Sequence, residues 1–251
     1  AMFVLDDWPH NFMSRLLLNR AEFASYLGDY AQAVADFEEA ERRFDAIGDV
    51  QGMIEVMLVR GYELHCARQE WDEAQSCFAT AAALIDQQSE KLEEEKTRLL
   101  LGQALTDLYT GTTSSAAEKL DKAQTLIETK PLAWWRPQLW YQRAQVSLLE
   151  NDVESARREL LQTVKATEND GNPDLRPYAF LTLASLTPAA DTRDTRLDYL
   201  AKCAQAVQTR SRYSDRVHCV QVMTRMLQET DWGADKLRAQ SLLVRVEKLS
   251  Q

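Results

Sequence analysis

Apolar and small residues recur along this chain with a helical period. Ala33, Phe37 and Ala40 form a small–large–small triplet at i, i+4 and i+7, positions that share one face of an α-helix. The same offsets return at Ala74, Phe78 and Ala81, at Ala116, Leu120 and Ala123, and at Ala156, Leu160 and Thr163. First members are 41, 42 and 40 residues apart, and a further step of 40 reaches Arg196, Leu200 and Cys203, where the first small residue is lost. Small residues on such a face let a second helix approach closely, and the large one fills the groove between them. Five residues before the first four triplets stand Gly28, Gln69, Gly111 and Asn151; Gly and Asn tolerate the left-handed conformation that closes a helix. An amphipathic stretch precedes each triplet, so every period predicts an antiparallel helix pair. Six pairs, roughly 8–47, 50–87, 89–129, 132–168, 173–209 and 212–250, account for nearly all of the 251 residues. One pair cannot bury its apolar face alone, so neighbours must stack. The expected fold class is all-α, an α-solenoid, with 1–251 as one domain.

Composition agrees with long helices and short turns. Gly (8) and Pro (6) are scarce, whereas all-β or loop-rich chains need many turn residues. The breaks that exist are sharp. Asn169-Asp170-Gly171-Asn172-Pro173 is a helix stop, and Pro188 disrupts the fifth pair. Pro137 belongs in the first turn of a helix starting near Arg136, which leaves Trp134 and Trp135 at its entrance. Trp140 is expected in the core between pairs, and at least one of Trp134 and Trp135 is expected to be partly exposed. Gly61 and Gly102 fall inside helices, where each costs about 1 kcal/mol against Ala; close packing is the expected reason. The last pair, Arg212–Leu227 and Asp235–Leu249, reads as a terminal cap.

The resemblance that follows rests on the segment from Gly28-Asp29-Tyr30 to Ala40, a G-D-Y-x-x-A-x-x-x-F-x-x-A pattern echoed from Trp71 to Ala81, with Trp140 in place of an early first-helix tryptophan. It resembles the tetratricopeptide repeat. The longer period and the Ile47-Gly48-Asp49 turn are similar to the long repeats of bacterial regulators, including sensor arms of signal-transduction ATPases. Clear matches cover residues 14 to about 165. The resemblance implies a right-handed superhelix whose first helices line a concave, partner-binding face.

Catalytic constellations are missing from the sequence pattern. His65-Cys66 and His218-Cys219 lie four periods apart and do not complete a tetrahedral metal site, so no metal and no cofactor are expected. Gly111-Thr112-Thr113-Ser114 lacks the glycine and lysine of a phosphate loop. Glu90, Glu93, Glu94 and Glu95 sit at a helix entrance, where carboxylates favour the positive end of the dipole. Cys66, Cys77, Cys203 and Cys219 follow no disulfide spacing and fit a reducing cytoplasm. The longest apolar run is about seven residues, far short of a membrane span, and no signal peptide is visible. Ala1–Met2 reads as a cloning remnant, consistent with a piece of a larger protein with flanking domains.

The expected function is therefore a non-catalytic protein- or peptide-binding module of a regulator or scaffold. The alternative is a small-molecule sensor arm holding a sugar or metabolite. The resemblance implies groove contacts at fixed positions of each repeat, and counting back from the triplets to those positions gives Arg15, Asn19, Glu22 and Tyr26 in the first pair. The second offers Arg60 and Glu63, the third Arg98 and Tyr109, the fourth Tyr141, Gln142 and Gln145, and the fifth Tyr178. A further step adds Gln221 and Arg225. The family's carboxylate clamp is matched in kind by Asn19 and Arg60, but Gly102 fills its third place and Glu22 and Glu63 crowd it. Residues 1–125 carry 11 basic and 23 acidic side chains, against 18 and 16 in 126–251. This balance disfavours nucleic acid, which binds clustered Lys and Arg, and favours a basic segment against the N-terminal half.

Overall fold

The computed structural model describes residues 11–88, 91–169, 175–187, 193–209 and 213–249. All regular structure among them is helical. In chain order the helices are α1 (Phe12–Leu27), α2 (Tyr30–Ala46), α3 (Val50–Val59), continued by a π-helical segment Arg60–Cys66, α4 (Trp71–Asp86), α5 (Glu93–Thr110) and α6 (Thr113–Thr129). They continue as α7 (Arg136–Leu149), α8 (Val153–Asn169), α9 (Arg176–Leu186), α10 (Arg193–Thr209), α11 (Tyr213–Glu229) and α12 (Lys236–Lys248). The chain divides into two compact units, Ala1–Thr112 and Thr113–Gln251. In the first, each of α1 to α5 packs on the next; in the second, the same holds from α6 to α12. The result is an all-α array of consecutive helix pairs.

The triplets are the seams of these pairs. Ala33, Phe37, Ala40, Ala74, Phe78, Ala81, Ala116, Ala123, Ala156, Leu160 and Thr163 are all fully buried, as are Leu200 and Cys203. Full burial of a large apolar side chain stabilises by about 1.5–3 kcal/mol, so a repeating Phe or Leu flanked by small residues specifies both contact and spacing. The predicted closing residues adopt the left-handed conformation: φ is +83° at Gly28, +61° at Gln69, +84° at Gly111 and +62° at Asn151. Where the next residue is aspartate, it caps the following helix. Asp29 accepts from the Gln32 amide and Asp152 from the Ser155 amide; Asp49 does the same for Gly52 after the left-handed Gly48. These bonds satisfy amides that a helix start leaves open, and at Asp152 the Ser155 hydrogen bonds hold the carboxyl below its ordinary range.

Gly61 and Gly102 are required by one ring. A Cβ on Gly61 would lie 2.7 Å from Phe78 Cε1, and one on Gly102 would lie 2.5 Å from Phe78 Cζ. Phe78 of α4 is thus inserted between first helices of two successive pairs. Gly52 faces Phe44 of α2 in the same way.

The π-helical segment has a countable origin. A small buried residue lies on each first helix, and it precedes the first triplet residue by one constant interval in three pairs: Ala21 before Ala33, Ala104 before Ala116, Ala144 before Ala156. In the second pair Gly61 precedes Ala74 by one residue more. A π turn absorbs one extra residue without rotating the flanking helix faces.

At the other irregular points, Pro137 lies in the first turn of α7. Trp134 is 44% exposed, and Trp135 and Trp140 are half-buried rather than core. Glu93, Glu94 and Glu95 occupy the first turn of α5. Ala1–Met2, Glu90, the Asp170–Pro173 stop, Pro188 and Arg212 lie outside the described residues. No helix is long and apolar enough to cross a membrane among the described residues.

Candidate functional site

In residues 1–112, the first helices α1, α3 and α5 are neighbours. Arg15 of α1 donates to Glu55 of α3 at 2.8 Å, and its guanidinium lies 6.0 Å from the Phe44 ring centre. Asn19 and Glu22 are exposed on α1, with Tyr26 half-buried. Glu63 and Arg98 are half-buried on the π segment and α5. Tyr109, 63% exposed at the end of α5, stacks on Trp71 with ring centres 4.2 Å apart and planes 7° from parallel. One face of that tyrosine is thereby fixed, which lowers the entropy lost if a partner covers the other.

Two assigned positions face inward or toward a neighbouring helix instead. Gln142 is 0% exposed. It stands one 40-residue step after Gly102, and that point of the register faces the preceding pair, as the Gly102–Phe78 approach shows. Asn19 shares this register but lies on α1, the first described helix, and stays exposed. Arg60 donates to Glu41 of α2 at 3.2 Å. The extra residue in the π turn shifts its register by one, into line with Arg143, which likewise bonds the preceding second helix, at Asp121 of α6. Both arginines therefore join a pair to the one before it.

Residues 113–251 bring together what the sequence assigned separately. The rings of Tyr141 on α7 and Tyr178 on α9 have centres 6.1 Å apart, tilted by 52°. Tyr178 in turn lies 5.9 Å from the His218 ring of α11, tilted by 30°. Three successive first helices thus present one ring each; Tyr178 and His218 are one 40-residue step apart, and Tyr141 precedes Tyr178 by 37, about one helical turn short of that step. Tyr141 and Tyr178 rest partly on the hydrophobic core, and His218 is exposed. Gln145 is half-buried on the same helix as Tyr141, and Gln221 and Arg225 are exposed on α11. His218 was missed as a contact because the step of 40 was carried to Gln221 and Arg225. A step of 40 from Tyr178 itself would have found it.

Other polar groups are structural. Asp36, buried on α2, receives Nε and Nη2 of Arg20, each at 2.6 Å, and the Gln32 amide at 2.9 Å. The Arg20 bonds hold its carboxyl below the usual range against the opposing effect of burial. Glu159 sits above its usual range because of burial, and accepts from the Ser147 hydroxyl at 2.8 Å. All four cysteines are buried and unpaired to one another. Burial raises the Cys77 thiol further, the opposite of what a reactive thiolate needs. His65 bonds Glu70 at 2.8 Å.

No family model matches this chain, and no curated protein matches it either. Solved structures do. BtubC (BKLC) from P. vanneervenii superposes with a TM-score of 0.58 at 14% identity, over 93% of this chain and 91% of that one. A chain of the APC/C hetero-tetramer Cut9-Hcn1 gives 0.56 at 17% identity, over 93% of this chain and 45% of the other. At such identities the likeness speaks for fold alone. With the buried triplets and consecutive pairs, it supports an all-α solenoid fold of tetratricopeptide-like helix pairs.

Proposed function

We propose that the chain, taken as one module over 1–251, is a non-catalytic binder of protein or peptide segments, with the exposed surface of the first helices as its contact face. The observation that carries this reading is the ring row Tyr141, Tyr178 and His218, one ring from each of three successive first helices. Rings half-seated on a core lose little freedom when covered, and tyrosine is enriched among residues that dominate interfaces. Rows spaced by repeats suit an extended segment, whose side chains recur along its length. In the other unit, Asn19, Glu22, Tyr26 and the Tyr109–Trp71 stack form the corresponding surface, and the acidic excess of residues 1–125 suits it to a basic segment. A cytoplasmic role within a larger regulator belongs to the same proposal.

The test is selection of random displayed peptides on the full chain, followed by affinity measurement on purified variants. Enriched peptides should lose about tenfold or more on Tyr178→Ala, the loss expected of an anchor ring, with far-UV circular dichroism unchanged. Peptides that bind Tyr178→Ala and Tyr141→Ala as tightly as the parent chain would overturn the placement. A thermal-shift screen in which sugars or metabolites alone raise the melting temperature would overturn the peptide reading in favour of a sensor arm.

A further inference from the structure

A second surface lies away from the ring row. Between α8 and α10 runs a groove of about 420 Å³, with Phe180 of α9 among its lining residues. Leu161 and Val164 line it from α8, and Tyr199 and Lys202 from α10. The Phe180 and Tyr199 rings have centres 6.3 Å apart and planes 29° from parallel. Lys202 Nζ lies 5.9 Å from the first and 5.8 Å from the second. Among the described residues these rings are its partners, and no carboxylate pairs with it. Arg176 lines the same groove, fixed by bonds from Nε to Thr167 Oγ1 at 3.1 Å and from Nη2 to the Thr167 carbonyl at 2.7 Å. Both acceptors are neutral, so its charge is also left uncompensated by these bonds.

The surface beside the groove shares Leu161 and continues the same chemistry along α8. Arg157, Arg158 and Lys165 surround that leucine, which is 46% exposed. Arg157 donates to the Leu186 carbonyl and Arg158 to the Ser155 hydroxyl, again neutral acceptors, although Asp152 and Glu159 also feel the Arg158 charge. Set against these cations, the lining carboxylates are Glu154 and Glu168. The cationic excess is local, since the whole chain carries −10. Its overall field repels anions, so an acidic ligand would be held by this strip and not by general attraction.

We propose that the α8–α10 groove docks an acidic peptide segment, an apolar side chain resting between Leu161, Phe180 and Tyr199 while flanking carboxylates meet Lys202 and the α8 arginines. Charge complementarity selects this occupant. Lys202 is already ordered over two rings, an arrangement that keeps its charge and donors available, so pairing with a carboxylate orders little that is free. The site is built from the second helices α8 and α10 with Arg176 and Phe180 of α9, none of them residues of the proposed ring row.

The experiment is fluorescence anisotropy of the full chain with a labelled peptide in which one leucine is flanked on both sides by glutamates. Saturable binding is expected. It should weaken about tenfold on Lys202→Glu, stay within about threefold of the parent on Lys202→Arg, and weaken as salt screens the pairs. Tyr141→Ala, on the other face, should leave it unchanged, so this site can stand or fall apart from the ring row. Equal affinity for Lys202→Glu and the parent chain, or equal affinity for a lysine-flanked peptide, overturns the proposal. So does salt-sensitive self-association in sedimentation velocity that Lys202→Glu abolishes, because the occupant would then be the acidic half of a second copy.

Discussion

Replacing Gly102 with alanine sets two opposing effects on one added atom. By helix propensity the change stabilises, by about 1 kcal/mol in a helix interior. By packing it cannot be accommodated where it stands: the new Cβ would lie 2.5, 2.6 and 3.0 Å from Phe78 Cζ, Cε1 and Cε2. The ring must retreat by roughly 1 Å to restore ordinary van der Waals contact. Its retreat is blocked, because Gly61 approaches Cε1 and Cζ of the same ring and the Tyr62 ring sits 5.5 Å away, edge-on. Overpacking costs about 1–3 kcal/mol, and a fully buried, doubly clamped ring belongs at the upper end. The expected net is a loss of about 2 kcal/mol, or about 4–8 °C in melting temperature at this chain length. The decisive control is Phe78→Leu, which frees volume at the same point. In that background Gly102→Ala should become stabilising by about 1 kcal/mol, a coupling of about 3 kcal/mol in the double-mutant cycle. Urea unfolding followed by circular dichroism reads both. A Gly102→Ala chain that melts higher than the parent, or the same effect in both backgrounds, would refute the clamp.

Gln69 holds φ at +61° without glycine's freedom, so Gln69→Gly should raise stability by roughly 1 kcal/mol. Asn151→Gly should gain less, since asparagine tolerates that region; a reversed order in thermal melts would refute the strain argument. Asp36 has its carboxyl lowered by Arg20, so its contribution is present above the ordinary carboxylate range near 3.8 and is lost as pH falls through the lowered value. Because the Arg20 side chain is 61% exposed, the parent should exceed Asp36→Asn by only about 1 kcal/mol near pH 6. Urea midpoints should show the gap closing as pH falls below the ordinary carboxylate range, and a constant gap would count against the assignment. Deleting Glu63 should let the π turn revert to α-helix with both flanks in register, whereas deleting Gln103 from regular α5 should rotate one flank off its face. Comparable losses of melting temperature in the two deletions would contradict the inserted-residue account.

The repeat was legible because its signals are local. A small–large–small triplet needs only helical geometry to predict a seam, and Gly28, Gln69, Gly111 and Asn151 all close helices in the left-handed conformation. Pro137 and the acidic start of α5 were readable for the same reason. The contact residues were harder, because they depend on which side of a first helix the preceding pair covers. Gln142 illustrates this: its polar amide suggests surface, yet it occupies the point where Gly102 meets Phe78 one repeat earlier. Arg60 was displaced by a single inserted residue that the spacing from Gly61 to Ala74 records. The Tyr141–Tyr178–His218 row required knowing that three helices align their rings, and the α8–α10 groove has no sequence period at all.

The insertion of Phe78 between Gly61 and Gly102 also bears on how melting propagates. In a one-dimensional array, a partly melted state survives only where neighbour coupling is weak compared with the stability of each unit. Here part of that coupling passes through one side chain gripped from two directions. Fraying that reached α5 would strip one wall from the ring and leave it half-wetted, so α4 and α5 should open in concert, and a partly melted intermediate ending between them should not accumulate.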